Sequence, residues 1–324
     1  MAAIVSHKEV LKQSEQVFGQ FGEKWKSHCA INRELPHRDI KELKGIGVGK
    51  YLLLIAMGAS IEGQIETIKK YRDRFDIVTN DKNFGNLLDK GIKADYVMLC
   101  DANIPVSHLE PYIEQTKGVK LISTVYGNVE WTKAWKGDRY FYINRDSIFS
   151  ERIFTKIFGE TRLIPAGSNV SNAMVVFFIG ADNSKNINWS GYEEYYLVGY
   201  DYSWQKDKNY YAFKNPKPKR FYMNHRTMLD YKGNIVFTSE NLLFSAKWLY
   251  SYVTTFNLPI TNCSGRGLLD IRKGDLEMTL KKINPDKGRV EWLRMLYTSA
   301  TKALHVADET RSIFERAKGG LLCQ

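Results

Sequence analysis

The sequence predicts an α/β fold in which helices cover both faces of a mostly parallel sheet, with an N-terminal helix and a C-terminal helical extension. Two patterns in residues 51–103 support this prediction. Short apolar runs alternate with helical stretches, as in chains whose parallel strands are joined by crossover helices. Tyr51–Met57 is a continuous apolar run, so we expect a strand that is buried on both faces, and Asp76–Thr79 and Tyr96–Cys100 are predicted as the next two strands.

The remaining elements follow from the same patterns. Residues 8–29 have the spacing of an amphipathic helix, and residues 30–49 contain Pro36 and three glycines, which is typical of a connector. Between the first three strands, helices are predicted at about 61–71 and 84–89. Further strands are predicted at Lys120–Val125, Arg139–Ile143, Glu194–Gly199 and from Ile260, and further helices at Val106–Thr116, Ser147–Phe158, Ala173–Ile179, Ser239–Phe256, Gly274–Lys282 and Arg289–Phe314.

These elements group into three segments. Residues 1–49 form an N-terminal helical segment, residues 50–270 form the sheet-containing domain, and residues 271–324 form C-terminal helices. Residues 204–234 interrupt the domain, because aromatic residues there alternate with lysines and two prolines. We expect an irregular excursion that ends in a hairpin at 232–234.

The formal net charge is +11, and most of the excess lies in the C-terminal part. Residues 201–324 carry 21 Lys or Arg and 12 Asp or Glu, against 26 and 24 in residues 1–200. A concentrated basic surface favours an anionic partner such as nucleic acid or nucleotide phosphates, and a solvated basic loop is the simpler alternative. The candidate contacts to a phosphate or an acceptor are Lys217, Lys219, Arg220 and Arg266.

Several classes of protein are excluded by composition. No apolar run is long enough to span a membrane, and residues 1–16 lack the apolar centre of a signal peptide. The four cysteines are far apart in sequence and form neither a metal-binding pair nor a disulfide framework. We therefore expect a reduced, cytoplasmic protein with no metal site of its own.

The first candidate site residues follow the three predicted strands, where ligands of parallel sheets bind. Gly58 permits a tight turn and the close approach of a ligand, and Ser60 can cap a helix whose N-terminus favours phosphate. Asn80 and Asp81 can accept hydrogen bonds from ribose or a base. Each residue has an ordinary structural role as an alternative, in a turn or a cap. The nucleotide-binding candidates in these turns are Gly58, Ala59, Ser60, Asn80, Asp81 and Asn103, and Asp101 is a catalytic candidate.

A second group of candidates follows residue 165. Gly167, Ser168 and Asn169 precede an apolar helical stretch, so they form a second candidate anion cradle, with ordinary N-capping as the alternative. Asp201 ends a predicted strand and His225 lies in the basic excursion. Each is a candidate general base, although a histidine with no visible partner is more often structural. Further nucleotide-binding candidates are Tyr202, Asn262 and Ser264.

Six segments together resemble one family. They are LIAMGASIEG, IVTNDKNFGNLLDKGIKADYVMLCDAN, AGSNVSNAMVVFFIG, YYLVGYDYS, GNIVFTSENLLFSAKWLYSYV and ITNCSGRGLL, and they span about residues 50–269. Their order and spacing are similar to those of the family that unites the central domain of bacterial motility accessory factors with archaeal 6-hydroxymethylpterin pyrophosphokinase-like proteins. No single segment is diagnostic, because GAS after the first strand is not a full dinucleotide fingerprint.

The resemblance implies a Rossmann-like domain and a transferase. Motility accessory factors are implicated in moving nonulosonic acids from CMP-sugars to flagellin hydroxyls, and the pterin branch moves pyrophosphate from ATP. Gly58 and Ser60 match the family's first glycine-rich turn, Asp101 its strand-end Asp, and Asp201 the Asp of its Val-Gly-x-Asp motif. Gly167 and Ser168 match the Gly-Ser turn of the family. Met57 stands where the family usually has a small residue, and Ala59 stands where it usually has Pro. The sequence also lacks the long flanks of motility accessory factors.

The first functional hypothesis is therefore a glycosyltransferase that passes a sugar from a nucleotide-activated donor to a hydroxyl of a protein or of DNA. Asp201 or His225 would deprotonate the acceptor hydroxyl, while Asn80, Asp81 and Asp101 would orient the nucleotide or the sugar. No cofactor is required, and Mg²⁺ is the one possible metal ion. The second hypothesis is a 6-hydroxymethylpterin-type pyrophosphokinase that uses Mg-ATP, with Asp101 or Asp201 near the metal. The third is a non-catalytic nucleic-acid-binding protein that has kept the fold.

Overall fold

The computed structural model describes residues 7–145, 148–165, 169–180, 188–205, 211–213 and 225–283. Residues Met1–Ile283 form one compact unit, and Asn284–Gln324 form a second unit outside the described residues. The predicted helix at Arg289–Phe314 falls in that second unit. The segment boundaries at 49/50 and 270/271 stay predictions.

The centre of the first unit is an eight-stranded sheet in which all neighbouring strands are parallel. The strands are short, and most are buried along nearly their whole length. The sheet order is β10-β7-β1-β2-β3-β4-β5-β6. The strands are β1 (Tyr51–Ile55), β2 (Asp76–Asn80), β3 (Tyr96–Leu99), β4 (Lys120–Thr124), β5 (Arg139–Asn144), β6 (Arg162–Ile164), β7 (Glu194–Val198) and β10 (Ile260–Asn262).

Helices cover the sheet on both faces, as predicted. The helices are α1 (His7–Glu34), α2 (Ile65–Lys70), α3 (Asp81–Asp89), α4 (Val129–Ala134), α5 (Ile148–Phe158), α6 (Val170–Ile179), α7 (Glu240–Thr255) and α8 (Leu276–Lys282). Side chains of β1 alternate between two cores: Leu52 and Leu54 pack with α6 and α7 on one face, and Leu53 and Ile55 pack on the other. Burial on both faces explains why the strand reads as a continuous apolar run.

The strand order reverses at β1, because β2 to β6 follow on one side of it and β7 and β10 lie on the other. Such a reversal is a topological switch point, where the connections on the two sides of one strand diverge and leave a crevice at the carboxyl ends. Residues that follow β1 and β7 are therefore the first place to look for a ligand site.

Two sequence predictions are wrong in detail. Val106–Thr116 is not one helix but three short 3₁₀ turns, because Pro111 has no N–H to continue an α-helical ladder. Strand β6 is missing from the prediction, since its three residues are too few to show a pattern.

The predicted hairpin is present. Strands β8 (Arg226–Leu229) and β9 (Ile235–Thr238) pair antiparallel around the turn at 230–234. Asp230 closes this turn by accepting hydrogen bonds from the N–H groups of Lys232 and Asn234 at 2.9 and 2.8 Å.

Among the described helices, none combines the length and apolar character needed to cross a bilayer.

Candidate functional site

A cleft of about 380 Å³ opens at the switch point, and we call it the switch-point cleft. Its walls come from the turns after β1, β2, β3 and β7 and from the N-terminal ends of α6 and α7. This volume is at the lower end of the range for small-molecule sites. Its walls carry these residues: Ala56, Met57, Gly58, Asn80, Asp81, Lys82, Cys100, Asp101, Asn169, Val170, Ser171, Gly199, Tyr200, Tyr202, Ser203, Tyr211 and Leu242.

Gly58 joins the turns that follow β1 and β7. Its N–H donates to the Gly199 carbonyl at 2.8 Å. A Cβ at this position would come within 2.5 Å of the Gly199 oxygen and 2.6 Å of the Asp201 carboxyl carbon. A side chain cannot fit there, so glycine is needed for the close approach of the two turns. Ala59 is buried beside it and is absent from the cleft wall.

The sequence suggested that Ser60 caps a helix, but the structure shows that it does not. The 3₁₀ helix at Ala59–Gln64 has Gly58 as its N-cap. The Ser60 hydroxyl and the Ser60 N–H both donate to the Asp201 carboxylate, the N–H at 2.9 Å. The polar groups of Ser60 are therefore directed at a side chain from the β7 turn.

Asp201 is a bridge between three strand ends. Its side chain is only 2% exposed, and it accepts hydrogen bonds from Ser60 and, at 3.4 Å, from Arg266 in the loop after β10. Burial raises the pKa of this carboxyl, while Ser60 and Arg266 oppose that rise. The carboxylate lies behind the cleft wall rather than on it. Its role as a general base stays a prediction.

The wall between β2 and β3 is acidic. Asp81 begins α3 and is 3% exposed, and its Oδ1 accepts the N–H of Lys82 at 2.6 Å. Burial raises the pKa of Asp81 to about 7, and the nearby charge of Asp101 acts in the same direction. Asp101 accepts the N–H of Asn103 at 2.7 Å. The cleft thus holds two carboxyl groups, one of which titrates near neutral pH.

Asn80 supports this wall from the last position of β2. It is the N-cap of α3, and its side chain accepts the N–H of Asn83 at 3.1 Å. The N-terminus of α3 favours the ionised form of Asp81. Burial has the larger effect on the pKa of Asp81 and raises it.

The opposite wall is the N-terminus of α6. Asn169 caps this helix by accepting the N–H of Asn172 at 2.9 Å, and Ser171 also lines the cleft. Tyr202 adopts φ 51°, and its hydroxyl donates to the Asn172 side chain. A left-handed conformation in a non-glycine residue is held by its surroundings and is frequent at ligand sites. Gly167 and Ser168 lie outside the described residues.

Three predicted nucleotide contacts support the structure away from the cleft wall. Asn262 donates to the Leu269 carbonyl at 2.9 Å, and its oxygen accepts the Ser264 N–H at 3.0 Å. The Ser264 hydroxyl accepts the N–H of Tyr200 at 3.0 Å, which links the ends of β10 and β7. Asn103 accepts a hydrogen bond from Lys24 of α1 at 2.7 Å.

The remaining predicted residues lie elsewhere. His225 precedes β8 and meets Trp204 edge to face at 4.7 Å, and it does not line the cleft. Arg266 borders Asp201, as described above. Lys217, Lys219 and Arg220 lie outside the described residues.

Several wall residues do not stand out in the sequence as candidates. Lys82 follows the strand-end pair at 80–81 directly, so its position could have been inferred. Cys100, whose sulfur is 2.8 Å from the Tyr142 hydroxyl, ends an apolar strand run and has no sequence feature that separates it from a core residue. Tyr211 has no local signal, because the excursion returns to the cleft through a hydrogen bond from the Ala212 N–H to the Met57 carbonyl at 2.8 Å.

Within the described part of the chain, no three acidic, histidine or cysteine side chains are grouped as a metal site. Mg²⁺ is usually held by only one or two carboxylates together with substrate phosphates. The carboxyl groups of Asp81 and Asp101 on one cleft wall fit such a minimal set.

The parallel sheet and its switch-point cleft define a Rossmann-like α/β protein. More specifically, the chain belongs to the 6-hydroxymethylpterin diphosphokinase MptE-like family, whose model matches residues 29–207. This result confirms the resemblance drawn from the sequence segments.

A solved structure shares the fold. It is the MAf glycosyltransferase from Magnetospirillum magneticum AMB-1, with a TM-score of 0.63 and 19% sequence identity. The match covers 86% of this chain and 42% of that one, so the chain spans less than half of that protein. A comparison with curated proteins found no match.

Proposed function

We propose that the protein is a transferase that binds a nucleotide-activated sugar in the switch-point cleft and passes the sugar to a hydroxyl acceptor on a protein or a nucleic acid. One observation carries this proposal. The cleft places the α6 N-terminus and Lys82 in the same cavity as two carboxyl groups. A helix N-terminus and a lysine suit a phosphate, and carboxylates suit hydroxyl groups. The MAf glycosyltransferase with the same fold supports the same class of reaction.

In this reaction the acceptor oxygen bonds to the anomeric carbon of the sugar while the bond from that carbon to the phosphate oxygen breaks. The nucleotide leaves with the electron pair of that bond, and the acceptor proton passes to a carboxylate. Asp81 suits the proton transfer, because a base is most effective when its pKa lies near the working pH. Asp101, on the same wall, is the second candidate.

The family description favours a second candidate, a diphosphokinase that uses Mg-ATP. Asp81 and Asp101 would then hold Mg²⁺, which would neutralise charge on the phosphates during transfer. Among the described wall residues, however, Lys82 is the only cation. One cation and one helix N-terminus match a single phosphate better than a triphosphate, so the sugar donor remains our first proposal.

A binding screen separates the two candidates. Thermal shifts would be measured with CMP, UDP, GDP, ADP and ATP, each with and without Mg²⁺. A ligand at about 100 times its dissociation constant adds roughly 2.7 kcal/mol of stability, which raises the melting temperature by a few degrees. We expect a shift with a nucleoside mono- or diphosphate that does not depend on Mg²⁺. A shift that requires both ATP and Mg²⁺ would replace the proposal with the diphosphokinase.

Two substitutions test whether binding occurs in the cleft. Lys82→Ala and Ser171→Ala remove polar groups from opposite walls, and each should weaken nucleotide binding by about tenfold, or ~1.4 kcal/mol. Lys133→Ala is the matched control, because Lys133 is exposed on α4 and does not line the cleft. Equal affinities for all three variants and the wild type would place the nucleotide elsewhere.

A further inference from the structure

A second cavity, of about 570 Å³, lies at the end of the sheet where the strands begin. Residues 37–44 form one wall, and the start of β6 with Trp189 forms the other. The Arg38 N–H donates to the carbonyl of Arg139, the first residue of β5, at 2.8 Å, which ties the first wall to the sheet. We call this cavity the basic groove.

The basic groove has a row of cations along one wall. Residues Ile40–Leu43 form a 3₁₀ helix, in which side chains three residues apart lie above one another. Ile40 and Leu43 are buried in the core. Lys41 lies within this helix, and Arg38 and Lys44 flank it three residues away on either side; all three line the groove.

Cations outnumber carboxylates among the described residues that line the groove. These residues include four cations, with Arg162 counted, and two acidic residues, Asp39 and Glu160. Asp39 accepts the N–H of Lys41 at 2.9 Å and so serves the local turn. Arg38 pairs with Glu42 at 2.7 Å, but both side chains are exposed, and exposed pairs contribute little and exchange easily.

Flat side chains lie beside the cations. His37 is exposed, and its ring centre is 5.4 Å from that of Phe141 and 5.4 Å from that of Phe158. Its Nδ1 is 2.7 Å from the Leu35 carbonyl oxygen, which orients the imidazole. On the other wall, Arg162 lies over the Trp189 ring at 3.6 Å. Rings and guanidinium planes are the surfaces on which nucleic-acid bases stack.

We propose that the basic groove binds single-stranded nucleic acid, with phosphates along Arg38, Lys41 and Lys44 and a base against His37. Three cations that recur every third residue along one wall suit a chain with regularly spaced negative charges. The neighbouring rings favour a nucleic acid over an acidic peptide, because carboxylate side chains have no planar ring to stack. This proposal does not depend on the function of the switch-point cleft.

The test is the salt dependence of binding by the full chain to a fluorescent oligothymidylate of about ten nucleotides. Three phosphate contacts on a single strand predict a slope of log affinity against log salt of about −2. The double variant Lys41→Gln/Lys44→Gln should reduce that slope to about −0.7 and weaken binding at least tenfold in low salt. Lys90→Gln/Lys93→Gln has the same spacing and charge change outside the groove and should bind like the wild type.

A third variant tests stacking. His37→Ala should weaken binding about tenfold while the salt slope stays unchanged, since a base contact is lost and no phosphate contact. Three results would overturn the proposal: no binding in low salt, tighter binding of polyglutamate than of the oligonucleotide, or binding that resists Lys41→Gln/Lys44→Gln and is lost in Lys217→Gln/Lys219→Gln. The last result would assign nucleic-acid binding to the basic excursion instead.

Discussion

The switch-point cleft and the basic groove lie at opposite ends of the same sheet and carry opposite charge. Among its described residues, the cleft holds Asp81 and Asp101 with one lysine, and these acids are buried or fixed by backbone N–H groups. The described residues of the groove include four cations, and most of their charge is exposed. Burial shifts the pKa of a carboxyl group, whereas an exposed charge can attract an oppositely charged partner over a long range. The cleft is thus suited to proton transfer and the groove to holding a polyanion.

The largest effect should come from Asp201→Ala, which tests whether the cleft depends on a buried bridge. The change leaves Ser60 and Arg266 without their shared acceptor, and loss of one partner of a buried pair costs about 3–5 kcal/mol. Urea denaturation would measure the free energy of unfolding. Asp270→Ala, at an exposed pair with Lys273, should cost less than about 1 kcal/mol. Normal stability with lost sugar transfer would instead make Asp201 a base.

The next effect concerns pH and the buried acid of the cleft. The pKa of Asp81 rises from 3.8 to about 7, so the native state keeps a proton that the unfolded chain releases above about pH 4. Stability should therefore fall as pH rises toward 7, by on the order of 4 kcal/mol from this group. Asp81→Asn should remove that part of the slope, measured by urea denaturation between pH 4 and 8 without divalent ions.

The control for the pH experiment is Asp73→Asn, because Asp73 is exposed beyond α2. Its pH profile should match that of the wild type. Parallel profiles for Asp81→Asn and the wild type would contradict a buried, proton-binding acid in the cleft, and the contrast with the groove would weaken.

A smaller effect is expected at the turn that closes the cleft. Gly58→Ala introduces a Cβ 2.5 Å from the Gly199 carbonyl oxygen, and overpacking of this kind costs about 1–3 kcal/mol. Nucleotide binding should weaken as well, while oligonucleotide binding in the groove stays unchanged. Gly63→Ala is the matched control in the same turn, since nothing lies within 4 Å of the added atom. Equal destabilisation by both variants would show that the close approach is unimportant.

The smallest effect is expected from Arg162→Lys in the groove. Arg162 donates to the carbonyls of Phe177 and Gly180 and lies flat over Trp189. Lysine keeps the charge but loses the planar stack, at a cost of about 1 kcal/mol. Tryptophan fluorescence and urea denaturation would detect the change. A loss of nucleotide binding in the cleft would show that the two sites are coupled, contrary to the independence assumed here.

Much of the fold could be predicted from the sequence because buried parallel strands produce continuous apolar runs. The start of β1, β2 and β3 at Tyr51, Asp76 and Tyr96 was predicted correctly. The helix predicted at Ser239–Phe256 is α7, and the Ser239 hydroxyl caps it by accepting the Leu242 N–H at 3.3 Å. Strand β6 was not predictable, because three residues at a sheet edge have no periodicity to detect.

The candidate site was predictable in position and less so in detail. Gly58, Asn80, Asp81, Asp101, Asn169 and Tyr202 do line the cleft. Ser60 and Asp201, which are predicted to act on ligands, bind each other across 141 positions of sequence, and their roles toward a ligand stay predictions. Local sequence shows that a polar residue ends a strand, but it does not show which partner satisfies that residue.

The sequence by itself determined the alternation of strands and helices, the polar strand ends and the family, because these depend on local pattern and residue order. Only the tertiary structure decided which polar ends line the cleft. The strand order places β7 beside β1, and this neighbour brings Asp201 to Ser60 and leaves Asp81 in the cleft wall. It also joins residues 37–44 to Arg162 and Trp189 in one groove. Such pairings follow from long-range packing, which no local pattern specifies.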